Sequence, residues 1–164
     1  MSLRSSIYTR WLVACAATML LLAGCASGPV RRVSEPAAGI QQLTVGADGN
    51  WTVEVRINNF SSIPMRFDAF DLKLSVGGQD AGTLSAQPAL DIGPESADVV
   101  NVQLKPQGMA RLQVANALAS GQGIAYSLSG SVRATPDKAK QRNFDDVKRE
   151  SKLSPVPGIP GALR

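Results

Sequence analysis

Trp51-Thr52-Val53-Glu54-Val55-Arg56-Ile57 sets four apolar side chains at every second position, with Thr52, Glu54 and Arg56 between them. Successive side chains of a strand point to opposite faces, so this alternation predicts a strand with one face buried and one in water. The same period recurs further along the chain. Asn58-Asn59-Phe60-Ser61-Ser62 reads as a turn, because Asn and Ser side chains hydrogen-bond to nearby backbone. Ile63, Met65 and Phe67 alternate again, and then the phase changes to Phe70, Leu72, Leu74 and Val76. A one-residue slip would turn every later side chain to the wrong face, so a bulge or a crossing between sheets is expected near Asp68 and Ala69.

Gly77-Gly78-Gln79-Asp80 predicts a hairpin turn; it lacks the Lys and following helix that a phosphate-cradling loop needs. Thr83 to Leu90 predicts a weaker strand, interrupted by Pro88 and therefore at an edge. Val100, Val102 and Leu104 form another alternating strand, as do Ile124, Tyr126, Leu128 and Val132. Met109 to Ala119 is the one helical stretch, and a final strand is expected near Phe144 to Leu153. Five to seven strands, one short connecting helix and no strand–helix alternation predict an all-β, antiparallel β-sandwich.

Outward toward the N-terminus the pattern is different. Arg4 and Arg10 precede the uncharged, apolar run from Trp11 to Ala23, which is shorter than the roughly 20 residues that span a bilayer. Leu22-Ala23-Gly24-Cys25 resembles the lipobox of bacterial lipoprotein precursors, which implies acylation of Cys25 and cleavage before it. Leu12-Val13-Ala14-Cys15 fits the same pattern loosely, but it stands too close to Arg10 to leave an apolar run. The resemblance implies a signal peptide over residues 1–24 and a membrane partner reached through two or three acyl chains on Cys25. Ala26 follows the Cys where Asp would favour inner-membrane retention, which implies a lipid anchor in the outer membrane, facing the periplasm.

Removal of residues 1–24 leaves 140, enough for one domain with a real core. The formal charge of +4 loses Arg4 and Arg10 and becomes +2, too little to indicate a nucleic-acid partner. Cys25 would be the only remaining cysteine, so no disulfide is expected, and the chain has no histidine. Without imidazole the commonest general base and zinc ligand is missing, and no enzyme activity, metal or cofactor is expected. Residues 25–39 read as a flexible tether, 40–154 as the domain and 155–164, rich in Pro and Gly, as an extended tail. Residues 133–152 hold seven basic and four acidic residues, a solvated segment or a patch for anionic headgroups.

The polar residues offer little chemistry. Asp68, Asp71 and Asp80 could begin a calcium site, yet their spacing matches no loop signature. Asp145 and Asp146 are adjacent and point to opposite faces of a strand. Ser127, Ser129 and Ser131 form a polar strand face without a base beside them, and Trp51, Phe67, Phe70 and Tyr126 read as core.

Four features together resemble the desiccation-related group of late embryogenesis abundant proteins, whose domain is called WHy (water stress and hypersensitive response). They are Val53-Glu54-Val55-Arg56-Ile57-Asn58-Asn59; Ile63-Pro64-Met65 leading into Phe70-Asp71-Leu72-Lys73-Leu74-Ser75-Val76-Gly77-Gly78; Gly82; and a Leu/Ala segment before Tyr126-Ser127-Leu128-Ser129-Gly130-Ser131-Val132. The family commonly has Asn-Pro where this chain has Asn59-Phe60. The resemblance implies an immunoglobulin-like β-sandwich without a catalytic site, linked to desiccation or osmotic stress. An accessory subunit of an envelope transport or secretion assembly, holding a protein partner at a sheet edge, is the alternative.

Replacing Cys25 with Ser is expected to abolish incorporation of a fatty-acid analogue and membrane retention, whereas Cys15→Ser changes neither. Label persisting on the Cys25→Ser protein would contradict the reading.

Overall fold

The computed structural model describes residues 30–164, of which 31–164 form one compact unit. The expected signal peptide, Cys15 and Cys25 lie outside the described residues. Among the described residues nine strands and one helix follow in chain order: β1 (Ala37–Val45), β2 (Trp51–Asn59), β3 (Met65–Val76), β4 (Gln79–Ala86), β5 (Leu90–Ile92), β6 (Ser96–Leu104), α1 (Gly108–Ser120), β7 (Ile124–Pro136), β8 (Arg142–Leu153) and β9 (Ala162–Leu163). They build two antiparallel sheets, β6-β2-β1-β9 and β4-β3-β7-β8, with β5 also on β3. The sheets enclose one core, a β-sandwich.

Alternation works as expected in β2, where Trp51, Val53, Val55 and Ile57 are fully buried. In β3 the register to β7 shifts between Phe67 and Ala69, the place where the apolar phase changes. The extra residue returns Phe70, Leu72, Leu74 and Val76 to the core side. Gly77 and Gly78 both take positive φ, 57° and 75°, and close a two-residue hairpin that residues with a side chain enter only at a cost. Gly130 is needed for a different reason: a Cβ there would lie 2.0 Å from the carbonyl oxygen of Asp71, so β7 and β3 could not approach.

The helix buries a narrow stripe, Ala110, Val114 and Ala117, against the second sheet, and ends at Gly121 in the left-handed conformation. Pro88 falls in the gap between β4 and β5, both on the outer side of β3, which fits the edge position expected of it.

Two boundaries differ from the sequence reading. The chain joins the domain before Ile40: β1 begins at Ala37, Pro36 and Ala38 are buried, and the preceding residues are bound to the domain. Arg31 donates to the Asp137 carbonyl at 2.6 Å, the Arg32 N–H donates to Ser62 Oγ at 2.8 Å while its carbonyl accepts from the Ser62 N–H at 3.0 Å, and the Ser34 N–H donates to Ser61 Oγ at 3.0 Å. Residues 31–39 are therefore part of the fold rather than tether. Their polar composition resembles a linker because hydrogen bonds fix Arg31, Arg32 and Ser34, with Pro36 and Ala38 adding apolar burial. The C-terminal segment is also folded: β9 pairs with Leu43 and Thr44 of β1, Leu163 and Ala162 are fully buried, and the Val45 N–H donates to the Gly161 carbonyl at 2.9 Å. Proline and glycine set the turns that lead into this short strand.

A buried polar junction joins several of these pieces. Asn59 is 1% exposed, and its amide nitrogen lies 3.0, 3.1 and 2.8 Å from the carbonyl oxygens of Ile63, Ile92 and Gly93. Two amide hydrogens thus serve three carbonyls. The Asn59 carbonyl accepts from the Ser61 N–H at 2.9 Å, and Ser61 Oγ accepts from Ser34. One side chain ties the end of β2 to the approach of β3, to β5 and, through Ser61, to the N-terminal segment.

Asn59→Ala should cost about 3 kcal/mol, since burying carbonyls without donors costs about 1–3 kcal/mol each. Asn59→Asp should be worse, because a carboxylate cannot donate to the three oxygens it would face. Urea denaturation checks both, with Thr52→Ala on the exposed face expected to shift stability by under about 0.5 kcal/mol.

Candidate functional site

Three carboxylates singled out in the sequence are kept apart by the fold, and two of them take structural roles. Asp68, at the β3 bulge, accepts from Thr135 Oγ1 at 2.7 Å and Gln141 Nε2 at 2.9 Å, and lies 3.6 Å from Arg66. Burial opposes its ionisation, yet the Gln141 and Thr135 hydrogen bonds and the charges of Arg66 and Arg133 together hold its carboxyl below the ordinary value. Asp80 follows the Gly77-Gly78 turn, where it accepts from Lys73 at 3.1 Å and from the Gly82 N–H at 2.9 Å. The Lys73 contact, then the Gly82 N–H, lowers its pKa. Asp71 is exposed on β3. No cluster of three acidic or sulfur ligands that could hold a metal ion occurs among the described residues.

Asp145 and Asp146 are exposed on β8: Asp145 accepts from the Asn143 amide and Asp146 from Lys148. Ser127, Ser129 and Ser131 alternate with Leu128 and Gly130 along β7, and Trp51, Phe67, Phe70 and Tyr126 are all buried.

The feature that sequence reading missed lies at the seam where β1 of one sheet runs beside β8 of the other. β9 pairs with Leu43 and Thr44 alone, so the first half of β1 has no strand on its outer side among the described residues. One amide there is satisfied from the opposite sheet: the Ile40 N–H donates to the Tyr126 hydroxyl at 3.1 Å. The register shift between Ile40 and Gln42 sets Gln41 out of the β1–β2 ladder, and its side chain meets Glu54 and Arg56 instead.

Beside this seam is a cleft of about 410 Å³. Gly39 lies on its wall, where an added Cβ would sit 3.6 Å from Tyr126 Oη and 3.9 Å from Arg149 Cγ. Arg56, Arg149, Lys152 and Arg164 line the cleft with no acidic side chain among the lining residues. Arg56 donates to Gln41 and Asn58, and Arg164 to Gln42, all neutral acceptors. None of the four has a carboxylate partner, whereas Arg31, Arg32, Arg66, Lys73 and Lys148 all do. Arg149 and Lys152 come from the basic segment that reads as a headgroup patch; Arg56 and Arg164 are distant in sequence, and only the fold brings them there.

A family model described as late embryogenesis abundant protein matches residues 54–146, more than half of the chain. No curated protein matches it. Among solved structures, one of a protein assigned to the late embryogenesis abundant class is 14% identical with a TM-score of 0.43, over 96% of this chain and 86% of that one. A solution structure of an Arabidopsis thaliana protein is 11% identical with a TM-score of 0.44, over 79% and 85%. A crystal structure of a protein from Archaeoglobus fulgidus is 14% identical with a TM-score of 0.38, over 76% and 98%. At these scores the structural likenesses carry no weight beside the family match.

Asp68 makes stability depend on acid. Its folded pKa is depressed, so its contribution is complete above the unfolded value near 3.8 and is lost as pH falls through the lower folded value. Thermal melts from neutral to acid pH should show Asp68→Asn less stable than wild type at pH 7. The gap should close below about pH 4.

Proposed function

Because the chain belongs to the late embryogenesis abundant protein family, we propose that it is a non-enzymatic envelope lipoprotein. It carries a stress-related domain that works in desiccation or osmotic stress through its folded surface. One observation supports this reading above others: the carboxylates with the best claim to chemistry, Asp68 and Asp80, are each engaged in separate structural contacts rather than facing a common cavity. The absence of histidine points the same way. The anchor is Cys25, held by the outer membrane with the domain in the periplasm. Five residues, 26–30, then separate Cys25 from Arg31, a reach of at most about 20 Å when extended. Such a short tether keeps the domain beside the bilayer.

The alternative, an accessory subunit of an envelope transport or secretion assembly, draws support from the outer edge of β6, which no further strand pairs among the described residues. β8 is the longer open edge, but Asp145, Asp146, Lys148, Arg149, Glu150 and Lys152 charge it in the way that blunts strand addition.

A deletion strain complemented with variants, scored for survival of drying and of high salt, tests the main reading. Asp71→Asn and Ser127→Ala should leave survival intact at normal protein level. Trp51→Ala should abolish it by instability, since truncating a buried aromatic costs about 3–5 kcal/mol. A deletion strain indifferent to both stresses would contradict the stress role and favour the accessory subunit.

A further inference from the structure

We propose that the cleft between β1 and β8 is a binding site for a phosphate-bearing anion, built from Arg56, Arg149, Lys152 and Arg164 around the Tyr126 hydroxyl. The inference does not depend on the lipid anchor or on the stress role. Exposed cations repel one another, and Arg31, Arg66 and Lys73 elsewhere on this surface are each offset by a carboxylate. Here four cations from three separate stretches of chain converge on one concavity with no acidic side chain in its wall. Two of them, Arg56 and Arg164, are oriented by neutral amide oxygens, which hold a guanidinium in place without neutralising it. Guanidinium groups present paired donors that match the oxygens of a phosphate.

Tyr126 is the second, independent indication. It is 6% exposed, and its oxygen accepts from the Ile40 N–H. A phenol also has a proton to donate, and among the described residues no acceptor for it is seen. The hydroxyl lies beside Gly39, the position whose missing side chain leaves it open to the cleft. An anion oxygen there would accept that proton while the four cations surround the remaining charge. The volume, about 410 Å³, lies within the roughly 300–1,000 Å³ of small-molecule sites. The phosphate could come from a soluble compound or from a lipid headgroup, and both present the same oxygens to the cleft.

The test uses the purified full-length protein in micelles of a non-ionic detergent, titrated with inorganic pyrophosphate at constant ionic strength and followed by the unfolding temperature. A saturable rise is expected. The double variant Arg149→Ala with Lys152→Ala should weaken apparent affinity at least tenfold. Gly39→Leu, which removes no charge but covers the hydroxyl, should do the same, with circular dichroism confirming that it folds. Lys148→Ala, on the same strand but paired with Asp146 and outside the cleft, should bind as wild type does. Micelles doped with phosphatidic acid separate the sources. Competition with pyrophosphate assigns the cleft to a headgroup, and its absence assigns it to a soluble anion; either supports the site. No saturable response to either probe, or a response that the double variant retains in full, would overturn it.

Discussion

Asn59 carries a complete amide into a place that water does not reach, and each of its polar atoms is used. Its nitrogen serves three carbonyls from the β2–β3 connection and from the end of β5, and its oxygen holds the Ser61 N–H. The sandwich depends on such a junction because β2 and β3 belong to different sheets. A chain that crosses between sheets leaves backbone groups buried without ladder partners. The short side-chain amide of Asn59 supplies donors to three of them. Ser61 then extends the junction to Ser34, so the N-terminal segment is held by the same few atoms that close the crossing.

That arrangement gives a physical reason for the asparagine whether or not proline follows it. Phe60 occupies the next position and is 51% exposed, so it adds nothing to the core. The turn is held by side-chain hydrogen bonds on either side of it, and a rigid ring is not required. The consequence for function is positional. With Arg31, Arg32 and Ser34 bound to the domain, β1 starts from a defined point, and its first half stands beside β8 as the wall of the basic cleft.

Much of the architecture was legible because burial on one face imposes period two. β2, β3, β7 and the second half of β6 follow it, and the β3 bulge announced itself as a change of phase between Phe67 and Phe70. β1 was not legible. Its register shift at Gln41 and its partly buried edge position break the alternation, leaving Ala38 and Leu43 as its buried apolar residues. β9 is two residues long and follows Pro160 and Gly161, so no period could be read. The cleft was half legible: residues 133–152 stand out by charge, but Arg56 and Tyr126 read as ordinary strand positions and Gly39 as the end of the tether. A pairing of two sheets at one edge has no signature in a single stretch of chain.

The claim that this junction organises the domain is tested most directly by native-state hydrogen exchange of the Ser34 and Ser61 amides. Both lie outside regular strands, where connecting segments ordinarily open with little free energy. Bound to Ser61 Oγ and Asn59 Oδ1 in a junction that opens only with the core, they should exchange as slowly as the amides of Val53 and Leu72. Exchange at the rate of exposed loop amides, with Val53 and Leu72 still protected, would show that the sandwich stands without the junction and would contradict the account.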